Sequence, residues 1–167
     1  MPYNLPINPT MDLMCKNRSR GFSLIELLVV ISIIGVLSAV VLASLNTARS
    51  KGNDAAIQSD MATIQTEAEI YYGGAGSNSY GTQAWSSGAA TSCTGGMFSD
   101  TVTARALAGA DGVNGAGNVA CYAAGTGYVV AAALSGNTRY WCVDQNGSAR
   151  TVNAVLPAQG APITECP

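Results

Sequence analysis

One long apolar run near the N-terminus dominates the hydrophobic pattern of the chain. From Phe22 to Leu45 the sequence contains 24 residues and a single charged side chain, Glu26. A helix of this length rises about 36 Å, which is enough to cross the hydrocarbon core of a bilayer, about 30 Å thick. The run therefore predicts a membrane-spanning helix.

The helical pattern continues beyond the apolar run, but on one face only. Five apolar residues follow one another at gaps of four, three, four and three, which is the spacing of a narrow helical stripe. They are Ile57, Met61, Ile64, Ala68 and Tyr71. We therefore predict one helix from about Phe22 to Tyr72, apolar all round in its first half and amphipathic in its second half.

The remainder of the chain is richer in small residues and predicts short elements. Residues 73–118 show little periodicity, although 98–107 could form a short helix that ends near Gly109. Asn146-Gly147 is a typical hairpin turn between two strands. The predicted strands are 128–134, 139–143 and 148–152. The expected fold class is α+β, with a long N-terminal helix packed on a small antiparallel sheet.

The distribution of charge separates the first 21 residues from the rest. Lys16, Arg18 and Arg20 against Asp12 give this segment a net charge of +2, while the whole chain carries −2, so about −4 remains after Gly21. The positive-inside rule then places the N-terminus in the cytoplasm and the rest of the chain outside. Because the acidic body has no cluster of Lys and Arg, no nucleic-acid partner is expected.

Catalytic or metal-binding chemistry is not indicated by the residue types present. The chain has no His to act as a base and no Gly-rich phosphate loop between a strand and a helix, so we expect no catalytic residues, no cofactor and no enzyme activity. Asp144 and Asn146 could ligate calcium, but Asp-x-Asn-Gly is more typical of a turn, and no metal site is predicted. Asn146-Gly147-Ser148 also fits the weak pattern for N-glycosylation.

The five cysteines divide between the basic segment and the C-terminal region. Cys15 lies in the basic segment; the others are Cys93, Cys121, Cys142 and Cys166. Without His, a zinc site would require all four of these thiolates. Two disulfides in an oxidising compartment are the favoured interpretation, and four cysteines allow three pairings.

Glu26 is the residue that simple membrane-targeting interpretations do not explain. An ordinary signal peptide has a shorter apolar region, about 7–15 residues, with small residues at its far end. A plain membrane anchor fits the length of the run but gives no reason for a carboxylate inside it. A charge in an apolar span costs a few kcal/mol and usually has a functional partner.

The residues around Gly21 resemble a known processing signature. Arg20-Gly21-Phe22-Ser23-Leu24-Ile25-Glu26 is similar to the prepilin-peptidase site of the type IV pilin and type II secretion pseudopilin superfamily. In that family a basic leader ends in Gly, Phe usually follows, and Glu is the fifth residue of the product. The resemblance implies cleavage between Gly21 and Phe22, methylation of the new amine on Phe22, and pairing of Glu26 with the amine of a neighbouring subunit. The alternative for Glu26 is a carboxylate that merely lies at the membrane interface.

The resemblance also implies an organisation, a location and a set of partners. Residues 1–21 would be a cleaved leader, 22–72 the long helix, and 73–167 an extracytoplasmic region with a β-meander. The initiator could be Met1, Met11 or Met14. A C-terminal disulfide loop like that of the family would join Cys142 to Cys166 and leave Cys93 to pair with Cys121, the pairing we favour.

The precursor would be a single-pass protein of the cytoplasmic membrane, and the product an extracellular or periplasmic filament. Its expected partners are copies of itself, the prepilin peptidase and methylase, and a pilus or secretion assembly machinery in the inner membrane. The predicted function is that of a structural subunit of a type IV pilus-like filament. The alternatives are a pseudopilin or minor pilin of a secretion or DNA-uptake system, and a membrane-anchored extracytoplasmic binding module.

Overall fold

A computed structural model describes residues 21–167, which fall into two compact units divided between Leu42 and Ala43. The predictions for the basic leader, including the initiator at Met11 or Met14 and the position of Cys15, lie outside the described residues. The first unit consists of the N-terminal part of one helix. The second unit contains the rest of that helix and every other element.

Helix α1 spans Leu24–Gly73, close to the range predicted from the sequence. In the first unit every residue from Gly21 to Leu42 is exposed. In the second unit the buried residues of α1 are Ile57, Met61, Ile64 and Ala68, four of the five members of the predicted stripe. The helix ends at Gly73-Gly74, where the Gly76 N–H donates to the Tyr71 carbonyl at 2.7 Å and turns the chain.

The sheet has five antiparallel strands in the order of the chain, β1-β2-β3-β4-β5. This confirms the α+β class and the three predicted strands, which are the last three of the sheet; the first two strands were not predicted. The bounds are Thr82–Gly88 for β1, Val119–Ala124 for β2, Gly127–Ala133 for β3, Tyr140–Asp144 for β4 and Ala149–Val152 for β5.

The two missed strands are those with the least strand-like sequences. Strand β1 reads Thr-Gln-Ala-Trp-Ser-Ser-Gly, which lacks β-branched residues after the first position. Strand β2 is buried on both faces over most of its length, so its residues show no alternation of apolar and polar side chains. Pairing with neighbours, rather than local propensity, holds both in the sheet.

Helix α2, Thr101–Val113, is longer than the segment predicted to end near Gly109. Asp100 caps its N-terminus, because the side chain accepts hydrogen bonds from the N–H groups of Val102 and Thr103. Gly109 does not end the helix. A Cβ at this position would lie 2.6 Å from Asp60 Oδ2, so the glycine permits close packing of α2 against α1. The short 3-10 turns Ala90–Ser92 and Gly96–Ser99 precede α2.

The sheet buries both of its faces. One face packs against α1 and α2 in a cluster that includes Ile64, Leu107 and Tyr128. The other face is covered by the C-terminal tail, whose residues Leu156 and Ile163 contact a second cluster. The Trp85 indole N–H donates to the carbonyl of Ala158 at 3.1 Å and so fastens the middle of the tail to β1.

Two disulfides connect the irregular segments to the sheet. Cys93 is joined to Cys121 on β2, and Cys142 on β4 is joined to Cys166 in the tail. The Cα atoms are 6.1 and 5.8 Å apart, within the ordinary range for such bonds. This is the pairing of neighbours favoured from the sequence. The Arg150 side chain donates a further hydrogen bond to the Cys166 carbonyl.

Asp144, at the end of β4, fastens the last hairpin and the tail at the same time. Its Oδ1 accepts from the N–H groups of Asn146 at 2.9 Å and Ser148 at 3.1 Å, and its Oδ2 accepts from the Cys166 N–H at 2.9 Å. Asp144 as a whole is only 1% exposed. Burial alone would raise the pKa of Asp144, but the hydrogen bonds, led by that from the Cys166 backbone, outweigh it and lower the pKa. Asp-x-Asn-Gly is thus a turn, with a positive φ at Gly147.

We expect Asp144→Asn to destabilise the second unit by about 1–3 kcal/mol at neutral pH, because one of the two accepting oxygens becomes an amide nitrogen that faces backbone N–H donors. The lowered pKa means that the carboxylate stabilises the fold above its unfolded pKa, about 3.9, and that this contribution is lost as the pH falls through the folded pKa. Urea unfolding of the detergent-solubilised protein, followed by tryptophan fluorescence, should show the difference shrinking below about pH 4.

The matched control is Asp100→Asn, since Asn caps a helix as well as Asp does. An Asp144→Asn protein as stable as the wild type at pH 7 would mean that the carboxylate contributes nothing to the attachment of the tail.

Candidate processing and assembly site

The predicted processing residues lie immediately before α1. Gly21 and Phe22 precede the helix, and the Phe22 side chain is 82% exposed. A Cβ added at Gly21 would meet no atom of the described residues within 4 Å. The structure of residues 21–167 therefore gives no steric reason for glycine at this position.

Ser23 and Glu26 form a reciprocal cap at the start of α1. The Ser23 N–H and hydroxyl both donate to Glu26 Oε2, at 2.9 and 2.8 Å, and the Glu26 N–H lies 3.3 Å from Ser23 Oγ. This arrangement is a capping box, in which a Ser at the N-cap and a Glu three residues later satisfy each other's backbone donors. Ser23 was not among the predicted site residues, although the Ser-x-x-Glu spacing that signals a capping box is present in the sequence.

The surroundings of Glu26 on the helix are apolar. Phe22, Ile25, Val29 and Val30 line a shallow depression together with Glu26. The first cationic side chain after Gly21 is Arg49, and the ion pair found within residues 21–167 joins Arg139 to Asp54. Among the described residues Glu26 therefore has hydroxyl and backbone partners but no cation.

The apolar part of α1 is not covered by any other residue that the structure describes in its unit. Its large apolar side chains from Leu24 to Leu42 are all at least 48% exposed. The helix is long and apolar enough to cross a membrane, judged by length and composition. A contiguous apolar surface of this size needs lipid or other helices around it.

The predicted site residues therefore belong to two separate places. Gly21, Phe22 and Glu26 lie within one helical turn and a short lead-in, whereas the four disulfide cysteines lie in the second unit. Within residues 21–167, His, Cys, Asp and Glu side chains form no group of three or more that could hold a metal ion.

Comparison with known protein families finds a match in this N-terminal segment. Residues 16–42 match the prokaryotic N-terminal methylation motif, the prepilin signature of type IV pilins and pseudopilins. The chain therefore carries a prepilin signature, which supports a type IV pilin-like or pseudopilin protein with a membrane-anchored precursor. Proteins of this type are structural rather than enzymatic, and the motif implies processing by a prepilin peptidase.

No curated protein and no solved structure matches the chain. The likeness to known proteins is thus carried by residues 16–42.

Proposed function

We propose that the chain is a structural subunit of a type IV pilus-like filament. Residues 1–21 are its leader, 22–72 its assembly helix, and 73–167 its extracytoplasmic region. The leader is cut between Gly21 and Phe22, the new amine of Phe22 is methylated, and the product packs into a filament through α1.

The observation that carries this proposal is the exposure of the apolar helix that bears the methylation motif. Among the described residues, every position from 24 to 42 is exposed, whereas the sheet of the second unit is covered on both faces. A helix of this kind is suited first to a bilayer and then to a bundle of identical helices, since both provide an apolar environment.

Packing within residues 21–167 does not require glycine at position 21, which supports a role for Gly21 in recognition by another protein. Because a side chain at this position would meet no atom among residues 21–167, the glycine is best explained by an external protein that must approach the backbone closely. A peptidase acting on the Gly21–Phe22 bond is such a protein.

The negative charge of Glu26 is a further argument for assembly into a filament. Cleavage creates a cationic amine on Phe22, and Glu26 lies in an apolar depression without a cation of its own among the described residues. Pairing of Glu26 with the amine of a neighbouring subunit neutralises two charges that would otherwise remain unpaired in a low-dielectric environment. Such a pair also sets the axial register of the subunits.

The disulfides of the second unit favour a location in an oxidising compartment. It contains two disulfides, which persist outside the cytoplasm, and the basic segment before α1 favours a cytoplasmic N-terminus. The precursor therefore crosses the cytoplasmic membrane once, with residues 73–167 on the outer side.

Electron microscopy of sheared surface filaments, with mass spectrometry of their main protein, tests the proposal. We expect long filaments composed chiefly of this chain, each copy beginning at methylated Phe22. An abundant membrane protein with an intact leader and no filament would favour a membrane-anchored binding module instead. A processed chain found only as a minor component or in short periplasmic filaments would favour a minor pilin or pseudopilin.

A further inference from the structure

We propose that Ser23 is a positioning residue that orients the Glu26 carboxylate, so that its two oxygens have different roles. Oε2 is retained by the capping box of its own helix, and Oε1 is presented to the amine of a neighbouring subunit. This inference rests on the proposed function, because it concerns how the pairing of Glu26 is achieved.

The geometry assigns Oε2 to the helix start. Both Ser23 donors, the backbone N–H and the hydroxyl, converge on this one oxygen at 2.9 and 2.8 Å. Within residues 21–167 no hydrogen bond reaches Oε1. Any contact that the leader makes with Oε1 in the precursor is removed when the leader is cut off.

The arrangement has two physical consequences for assembly. A glutamate has several rotatable bonds, and fixing it in one rotamer costs up to about 1.5–2 kcal/mol of conformational entropy. The capping box already fixes the Glu26 side chain before subunits associate, so less conformational entropy is lost when the ion pair forms. A carboxylate can also accept several hydrogen bonds, so retaining Oε2 in the cap leaves lone pairs on Oε1 for an incoming amine.

The structural alternative is that Ser23 only caps the helix, and three variants separate the two roles. Ser23→Gly removes the hydroxyl donor but remains an acceptable N-cap, since Gly costs only a few tenths of a kcal/mol relative to Ser at this position. Ser23→Thr keeps a hydroxyl. Glu26→Gln keeps an acceptor for the Ser23 N–H but loses the negative charge that the amine requires.

The measurement is the filament yield per processed subunit, with processing followed by N-terminal mass spectrometry and helix content by circular dichroism. We expect Ser23→Gly to lower the yield about tenfold, since a hydrogen bond to a charged group is lost, while processing and helix content stay near wild type. Ser23→Thr should restore the yield to near wild type, and Glu26→Gln should abolish filaments.

Wild-type yield from Ser23→Gly, with Glu26→Gln still unable to assemble, would overturn the role of Ser23 and leave the proposed function standing. Loss of processing in Ser23→Gly, with normal assembly of the processed fraction, would also overturn it, because Ser23 would then act toward the peptidase. Wild-type filaments from Glu26→Gln would instead overturn the pairing of Glu26 on which the inference rests.

Discussion

Replacing Gly21 with valine should leave the chain as an unprocessed precursor in the membrane fraction, with almost no mature product. A branched side chain beside the Gly21–Phe22 bond would obstruct a peptidase that needs close access to the backbone. The fold should tolerate the change, because a Cβ at Gly21 meets no atom within 4 Å in the part of the chain that the structure describes. Immunoblotting of membranes, together with N-terminal sequencing, measures the ratio of precursor to product.

Gly35→Val is the matched control, because Gly35 also has open space around its Cα and lies on the apolar part of α1. It should be processed like the wild type. If the wild-type product began at any residue other than Phe22, or if Gly21→Val were cut normally, the proposed processing site would be wrong.

Replacing Glu26 with valine should preserve membrane insertion and prevent efficient entry into filaments. Insertion should be maintained or improved, because an intramembrane carboxylate is removed. Assembly should fall by about a hundredfold or more, since removal of one partner of a desolvated ion pair costs about 3–5 kcal/mol and leaves the Phe22 amine unpaired. Fractionation gives the inserted amount, and quantitative blotting of sheared filaments gives the assembled amount.

Ile25→Val controls for valine in the same helical turn, since it changes neither charge nor apolar character. Its filament yield should match that of the wild type. A wild-type yield from Glu26→Val would indicate that the carboxylate only lies at the membrane interface and caps its own helix.

The two sites differ in how far the sequence could predict them. The processing and assembly residues are contiguous from Gly21 to Glu26, so their chemistry depends on spacing along the chain and is visible without a fold. The burial of Ile57, Met61 and Ile64 was likewise visible, because a helix of regular period fixes which side chains share a face. Even the capping box of Ser23 and Glu26 is a local pattern that the sequence contains.

The second unit depended on contacts that no local pattern records. Strands β1 and β2 were not predicted because small and polar residues favour no element by themselves, and their strand conformation comes from partners up to about 40 residues away. Gly109 looked like the end of a helix but lies inside α2, where its missing side chain makes room for Asp60 of α1.

Asp144 combines a feature set by local sequence with one set by tertiary contacts. Its position in a hairpin turn followed from Asp-x-Asn-Gly, whereas its hydrogen bond to the Cys166 N–H exists only because the tail returns across the sheet. The sequence by itself thus determined the long helix, its buried stripe and its N-terminal signature, since each depends on residues a few positions apart. The five-stranded sheet and the path of the tail were decided by tertiary structure alone, because residues far apart in the chain must meet before either gains its hydrogen bonds and burial.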